Sequence, residues 1–314
     1  MSWQAEFFYQ GMRLIGLKRR LFGDSRAIAA TIKRDRKCGP AVPSARLRAR
    51  FEISSEVIDS HLVTTVTPKR RAPRRVVLYL HGGGFIMTMT SLHWSLIARL
   101  AEGLDAVVIV PEPPLVPEHT AIDINAWLMR MWQRVCRTHD AASVVVMGDS
   151  SGGHLALALA LNVLRQDPQQ PSPLPLPSAL VLFSPALTGH HDAPLRQQLD
   201  ATDCMIALSG LPELGRLYAG DVAGDDPRID LLAGTLTGLP PTLLFSSNRE
   251  IMHFDAQEFR KKAGENGAEV VVIDTPGLFH VWPIFPIPEA ARTVETVATF
   301  LDRHSTRAEP APPA

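Results

Sequence analysis

The sequence has few cysteines, no excess charge of either sign and no long apolar run. Its three cysteines, Cys38, Cys136 and Cys204, are an odd number and include no CxxC pair, which argues against a disulfide framework and a cysteine metal site. We therefore expect a reduced, cytoplasmic protein. The 32 Lys and Arg residues balance the 32 Asp and Glu residues, so the composition shows no basic face for nucleic acid and we expect no nucleic-acid partner.

No apolar run approaches the roughly 20 residues of a membrane-spanning helix. Arg13 and Lys18 interrupt the N-terminal stretch and no small-residue cleavage site follows, so we expect neither a signal peptide nor stable membrane insertion. The apolar residues of this stretch recur at helical spacing, which leaves open a helix on a membrane surface. We favour a helix that covers a core or a pocket. The residues concerned are Trp3, Phe7, Phe8, Leu14, Ile15, Leu21 and Phe22.

Short β-branched runs alternate with helical stretches along most of the chain. From Val76 onward the runs are almost entirely apolar, as strands buried on both faces must be. This predicts an α/β fold with a mostly parallel central sheet flanked by helices. The early runs "RFEIS" and "HLVTTVT" predict antiparallel edge strands. The predicted helices are 91–103, 122–139, 152–165 and 254–264.

The alternation of predicted strands and helices is weak in three stretches of the chain. The proline-rich stretch 166–178 lies between a helix and a strand, so we interpret it as a surface loop. Between residues 187 and 239 the pattern lapses into short helices and turns. We expect residues 305–314 to form a disordered tail.

The stretch "VVVMGDSSGGHLAL" runs from a strand into a helix through two adjacent serines. A strand, Gly-x-Ser-x-Gly and a helix form a nucleophile elbow, in which a tight turn lifts a serine hydroxyl out of the sheet. Gly148 and Gly152 lie two positions before and after Ser150, whereas Ser151 would need glycine where Asp149 stands. Ser150 is therefore the predicted nucleophile.

A second glycine-rich turn, "YLHGGGF", follows an earlier buried strand. Acyl transfer through a serine creates an oxyanion that needs fixed N–H donors, and consecutive glycines can supply them. The amide after the nucleophile, that of Ser151, is expected to add another donor. A phosphate loop would require Lys followed by Ser or Thr, which this turn lacks.

The other two members of a catalytic triad are expected in the order acid and then histidine. His280 follows the last predicted strand and is the predicted general base. In the loop after "PTLLFSS", Glu250 lies three residues past the strand and is the favoured acid. Asp255, which we expect inside a helix, is the second candidate, and Asp274 is the third.

Together these motifs resemble the hormone-sensitive lipase family of α/β-hydrolases, the bacterial family IV esterases. "HGGGF", "GDSSGGH", "PTLLFSSNREIM" and "PGLFH" occur in the family's order, and the resemblance covers about residues 45–303. It implies that the amides of Gly83, Gly84 and Ser151 hold the oxyanion. Glu250 occupies the position where the family usually has aspartate.

The family's "DYRLAPEH" segment corresponds to "EPPLVPEH" here. Pro113 replaces its tyrosine, and the retained Glu118 is expected to brace the oxyanion loop. The resemblance also implies a small helical cap from residues 1–45 and 187–230 of a single domain, with the aromatic residues of the N-terminal helix over the acyl pocket.

The resemblance implies a carboxylesterase that cleaves short- to medium-chain acyl esters through a Ser-His-Glu triad and an acyl-enzyme. It implies neither a metal nor an organic cofactor. Phe85, Trp94 and Phe279 are the predicted pocket residues. A homodimer is compatible with this assignment, although the sequence does not fix the oligomeric state.

Two alternatives stay open at the sequence level. A lactonase, an amidase or an acyltransferase would use the same three side chains. A receptor without catalytic activity on a hydrolase scaffold is less favoured, because such proteins typically lose a triad residue and this chain keeps a serine, a histidine and a carboxylate.

Overall fold

A single eight-stranded sheet forms the centre of the protein in the computed structural model, which describes residues 1–167 and 171–304. The strand order is β1-β2-β4-β3-β5-β6-β7-β8. The expected disordered tail, 305–314, lies outside the described residues. The strands are β1 (Phe51–Ile58), β2 (His61–Pro68), β3 (Arg75–Leu80), β4 (Ala106–Pro111), β5 (Val144–Asp149), β6 (Ala179–Phe183), β7 (Thr242–Ser246) and β8 (Val270–Asp274).

The pairing confirms the predicted mixture of parallel and antiparallel strands. β1 pairs with β2 and β2 with β4 in antiparallel fashion. β3 pairs in parallel with β4 and β5, and the pairs β5–β6, β6–β7 and β7–β8 are also parallel. Every residue of β5, β6 and β7 is buried, because helices cover both faces of the parallel part.

Eleven α-helices surround the sheet in the described part of the chain. α5 has the predicted bounds, and α6, α7 and α10 begin one residue earlier than predicted. The helices are α1 (Trp3–Leu14), α2 (Leu17–Phe22), α3 (Ser25–Cys38), α4 (Ala45–Arg50), α5 (Ser91–Gly103), α6 (Ala121–Thr138), α7 (Ser151–Leu164), α8 (Pro194–Asp200), α9 (Leu211–Ala219), α10 (His253–Glu265) and α11 (Pro288–His304).

Two hydrophobic clusters lie on opposite faces of the sheet. One contains Trp127, Leu157 and Phe259 of α6, α7 and α10, and the other contains Leu96 and Phe300 of α5 and α11. Within residues 1–167 and 171–304, every helix is too short or too polar to span a lipid bilayer.

The strand order gathers several loops at one edge of the sheet. β3 and β5 are neighbours, with Leu80 opposite Gly148, so the glycine-rich loop after β3 lies beside the turn after β5. The loops after β7 and β8 leave from the same edge, because parallel strands end on one side. The edge therefore collects the loops that carry the predicted site residues.

Candidate active site

Ser150 lies in a strained turn between β5 and α7. Its backbone has φ 52° and ψ −120°, a conformation that non-glycine residues rarely adopt and that is typically found at functional sites. The turn places Ser150 at the N-terminus of α7, where the helix dipole favours negative charge. The geometry is that of a nucleophile elbow.

The glycines around Ser150 are required by close backbone approaches. A Cβ on Gly148 would lie 2.2 Å from the carbonyl oxygen of Gly152, and a Cβ on Gly152 would lie 2.1 Å from that of Leu80. Both distances are far inside van der Waals contact. Any side chain at either position would therefore push apart the strand, the turn and the helix.

The structure brings Ser150, His280 and Glu250 together from three loops. Ser150 Oγ is 2.9 Å from His280 Nε2, and His280 Nδ1 is 2.7 Å from Glu250 Oε2. All three residues are buried. The arrangement has the nucleophile–base–acid geometry of a catalytic triad.

Neighbouring donors hold the Glu250 carboxylate in place. Its Oε1 accepts hydrogen bonds from the Ser184 hydroxyl at 2.9 Å and from the Ser247 amide at 2.8 Å. The Ser184 hydroxyl oxygen in turn accepts from the amide of Val281, at 3.1 Å. The carboxylate is thus tied to the loops after β6, β7 and β8.

The other two acid candidates lie elsewhere. Asp255 is buried in α10, 2.9 Å from Arg196 Nη2, and accepts hydrogen bonds from the amides of Leu187 and Thr188. Asp274 is exposed and accepts from Arg260 at 2.8 Å. Neither carboxylate contacts the predicted base, so Asp255 anchors the loop after β6 and Asp274 belongs to a surface ion pair.

The surroundings of His280 favour its protonated form. Burial acts to lower the pKa of His280, but the hydrogen bond and charge of Glu250, followed by the charges of Asp203 and Asp149, raise it above its ordinary value. These surroundings suit a general base, because they stabilise the imidazolium that forms when the ring accepts a proton.

Three backbone amides beside Ser150 are without partners. The amides of Gly83, Gly84 and Ser151 donate a hydrogen bond to no other group in residues 1–167 and 171–304. Gly83 and Gly84 have φ values of 129° and 63°, which glycine adopts at little cost. Ser151 is buried and the two glycines are partly buried, and amides away from water are rarely left unpaired, so this cluster is a candidate oxyanion hole.

Polar side chains fix the glycine-rich loop. Asp149 Oδ1 accepts from the amide of Gly82 at 3.0 Å and from the Tyr79 hydroxyl at 2.5 Å. Burial acts to raise the pKa of Asp149, but His93, 3.3 Å away, and Tyr79 together lower it below its ordinary value. An ionised Asp149 therefore holds the start of the loop.

Glu118 does not brace the loop directly, contrary to the expectation from the sequence. It is half exposed and pairs with Arg36 at 2.8 Å, and Arg36 donates to the carbonyl oxygen of Ile86. The direct contact comes from Glu112, whose Oε2 is 3.0 Å from His81 Nε2. Burial opposes protonation of His81, yet Glu112 raises the pKa of His81 to about 9.

A narrow cavity of about 90 Å³ opens at Ser150. Phe85 lines it and stacks on Tyr218, with ring centroids 4.1 Å apart. The cavity also has walls from the regions of the expected cap. These are Phe22 of α2 and Leu211, Leu214 and Tyr218 of α9.

Two of the three predicted pocket residues are not part of this cavity. The indole N–H of Trp94 on α5 donates to the carbonyl oxygen of Ala41 at 2.7 Å, and the ring is buried in the core on the opposite face of the sheet. Phe279 is buried in the same core and packs edge-on against Phe285. The pocket prediction was therefore wrong for Trp94 and Phe279.

The N-terminal aromatic residues also differ from expectation. Trp3 and Phe7 are 76% and 68% exposed and do not cover the cavity. The aromatic ring that does so is Phe22, whose Cε1 would be 3.1 Å from a Cβ on Gly84. The covering element is thus α2 and not α1.

The sequence alone does not identify the residues that support Glu250 and its loop. Ser184 and Ser247 hold Glu250, and Asp203, also buried, accepts from the amide of Ile251 at 2.9 Å. Two of these residues directly follow a buried strand, which is the one signal that could have marked them. Within the described residues no group of three or more His, Cys, Asp or Glu side chains is arranged to hold a metal.

A protein-family model described as "alpha/beta hydrolase fold" matches residues 77–284. A curated acetyl-hydrolase of Streptomyces hygroscopicus is 31% identical over 240 residues, which are 74% of this chain and 76% of the relative. Esterase LipU of Mycobacterium tuberculosis (strain ATCC 25618 / H37Rv) is 30% identical over 239 residues, 73% of this chain and 77% of the relative.

The fold is similar to that of solved esterases. A crystal structure described as an esterase from the bacterial hormone-sensitive lipase family superposes with a TM-score of 0.80 at 20% identity. The match covers 97% of this chain and 99% of that one. At this identity the likeness concerns the fold alone.

Proposed function

The chain belongs to the alpha/beta hydrolase fold family and is a carboxylic ester hydrolase, and we propose that it cleaves short-chain acyl esters through Ser150, His280 and Glu250. The observation that carries the proposal is the pair of hydrogen bonds that links the three side chains, at 2.9 and 2.7 Å. The three unpartnered amides beside Ser150 support it further.

In the first half of the proposed reaction Ser150 becomes acylated. Its Oγ attacks the ester carbonyl carbon while His280 Nε2 takes the hydroxyl proton. The carbonyl oxygen gains the negative charge, which the amides of Gly83, Gly84 and Ser151 receive. As the C–O bond to the alcohol breaks, His280 returns the proton to the leaving oxygen, and the alcohol departs.

In the second half water replaces the alcohol. His280 takes a proton from the water molecule as it attacks the acyl carbon, and the same amides hold the second oxyanion. Ser150 then leaves with the proton from His280, and the carboxylic acid is released. Glu250 holds the Nδ1 side of His280 and stabilises the imidazolium of both steps.

The cavity favours a small acyl group. The cavity measures about 90 Å³, and the apolar side chains of Phe22, Leu211 and Leu214 form part of its wall. We therefore place the expected substrates at the short end of the short- to medium-chain range. The acetyl-hydrolase among the relatives is consistent with this size.

We also propose that residues 1–45 and 187–230 act as the cap. Phe22 from the first region and Leu211, Leu214 and Tyr218 from the second line the cavity together with Ser150. Such a cover excludes water and strengthens the interactions of the oxyanion. The cytoplasmic location and the homodimer stay predictions.

The test combines activity with covalent labelling. We expect hydrolysis of p-nitrophenyl acetate and butyrate to exceed that of the octanoate, and Ser150→Ala to lose turnover on all three. A fluorophosphonate should add one mass equivalent to the wild type and to Ser151→Ala, but none to Ser150→Ala. Labelling of Ser150→Ala at the wild-type rate would contradict the proposal.

Matched lactone and amide substrates separate the alternatives that share the triad. We expect kcat/KM to be higher on the ester than on the amide, because an ester C–O bond breaks with less assistance to the leaving group than an amide C–N bond. We also expect the open-chain ester to exceed the lactone. A higher value on the lactone or on the amide would reassign the reaction while leaving the triad in place.

A further inference from the structure

Helix α1 carries apolar side chains on two opposite faces. Ala5, Tyr9 and Met12 are buried against the protein. On the other side, Trp3, Phe7 and Leu14 are 76%, 68% and 89% exposed. At 3.6 residues per turn these three positions lie within about 40° of one another around the helix axis. We name Trp3, Phe7 and Leu14 the apolar stripe.

A surface helix normally presents polar residues to water on the face away from the core. The apolar stripe reverses this pattern, and it continues into Ile15, which is 49% exposed. The other four tryptophans of the chain are at most 7% exposed. A concentrated exposed patch of this kind marks an interaction surface.

The charge around the apolar stripe indicates the kind of partner. The first 40 residues contain nine Lys and Arg residues and three Asp and Glu residues, in a chain with a net charge of zero. Leu14 lines one surface concavity together with Arg13, Lys18 and Arg19. Lys18 pairs with Asp200, whereas Arg19 is exposed and makes no ion pair with any described residue.

A surface helix that exposes aromatic residues and has basic residues beside them is suited to an anionic lipid surface. Docking against a second copy through the same face would bring two basic segments together, which like charges oppose. We propose that the apolar stripe inserts into the headgroup region of an anionic lipid surface while Arg13, Arg19 and Arg20 contact the lipid phosphates.

The chain links the apolar stripe closely to the wall of the substrate cavity. α2 follows α1 after two residues, and its Phe22 forms part of the cavity wall at Ser150. If the proposed esterase function holds, the enzyme takes esters that collect at such a surface. The docking itself does not depend on catalysis, so the two proposals can fail separately.

Flotation with lipid vesicles tests the docking. We expect the full chain to float with vesicles of phosphatidylcholine and phosphatidylglycerol (3:1), and less with phosphatidylcholine alone or at 1 M salt. The triple variant Trp3→Ser, Phe7→Ser, Leu14→Ser should bind at least about tenfold more weakly, because it loses the inserted area. Arg19→Glu with Arg20→Glu should lose the preference for phosphatidylglycerol.

The matched control is Val57→Ser, at an exposed valine of β1 that is 70% accessible. It should float as the wild type does, and Ser150→Ala should too. The triple variant and Val57→Ser, whose replaced side chains do not line the cavity, should hydrolyse p-nitrophenyl butyrate within about twofold of wild type without vesicles. Circular dichroism and thermal unfolding should match wild type in every variant, which shows that they are folded.

Quenching by brominated lipid gives a second readout. Because Trp3 is the exposed tryptophan, its fluorescence should be quenched on vesicles, and Trp3→Phe should remove most of that quenching. Absence of flotation by the wild type, or equal loss in Val57→Ser, would overturn the proposal. So would a triple variant that still floats but no longer forms a dimer in solution.

Discussion

Replacing Glu250 by glutamine tests the identity of the triad acid. Oε1 of Glu250 accepts from Ser184 and Ser247, so the amide oxygen of the variant should keep that position. Its NH₂ group would then face His280 Nδ1, 2.7 Å from the present Oε2. His280 would have to accept at Nδ1 and carry its proton on Nε2, which faces Ser150 Oγ.

This tautomer cannot take a proton from Ser150. The equivalent replacement in a serine protease lowers kcat by about 10⁴, which corresponds to about 5 kcal/mol of transition-state stabilisation. We expect a loss of about 10³ to 10⁴ in kcat on p-nitrophenyl butyrate, with KM changed by less than about fivefold. The pKa of His280 should also fall, because the charge that raises it is removed.

Asp255→Asn is the matched control. It weakens a buried ion pair with Arg196, which should cost roughly 3–5 kcal/mol of unfolding free energy. The folded fraction should keep kcat within about threefold, because Asp255 does not contact His280. Thermal unfolding and steady-state kinetics on the same samples separate the two effects. Wild-type kcat in Glu250→Gln, together with a loss of about 10³ in folded Asp255→Asn, would refute the assignment.

Three further predictions concern the base, the oxyanion hole and the pocket. kcat/KM should fall as pH decreases through a pKa above 6.5, since His280 must be neutral to act and its pKa is raised; a midpoint at or below 6.5 contradicts this. Gly84→Ala should lower kcat by about 10², because the backbone at Gly84 has φ 63° and the new Cβ meets Phe22, so the amide of residue 84 should shift. An unchanged kcat argues against that amide as an oxyanion donor. Trp94→Phe should lower the unfolding free energy by about 1 kcal/mol and leave chain-length preference unchanged, whereas Phe85→Ala should shift that preference to longer acyl groups.

The sequence predicted the central fold because buried strands and covering helices have different periods. The apolar runs from Val76 onward form parallel strands in the structure, and α5 begins and ends at the predicted residues. The segment 187–239 gave no comparable signal. Its helices α8 and α9 are short, and their positions depend on tertiary contacts such as the ion pair of Arg196 with Asp255.

The residues of the candidate site also differ in how locally the sequence marks them. Ser150 has a glycine two positions away on each side, so five consecutive residues suffice to identify it. Pocket residues have no such mark. Trp94 and Phe279 follow motifs that are close to Ser150 in the fold, but both side chains point to the other face of the sheet, where the second hydrophobic cluster lies.

The support of Glu250 explains why a glutamate can occupy a position where the resembling family has aspartate. The longer side chain reaches His280 at 2.7 Å while its second oxygen accepts two further hydrogen bonds. The Ser184 hydroxyl links that oxygen to the amide of Val281, next to the base. Glu250 and His280 are therefore held by one network across three loops, so we expect the distance between them to depend on Ser184 as well as on the loops.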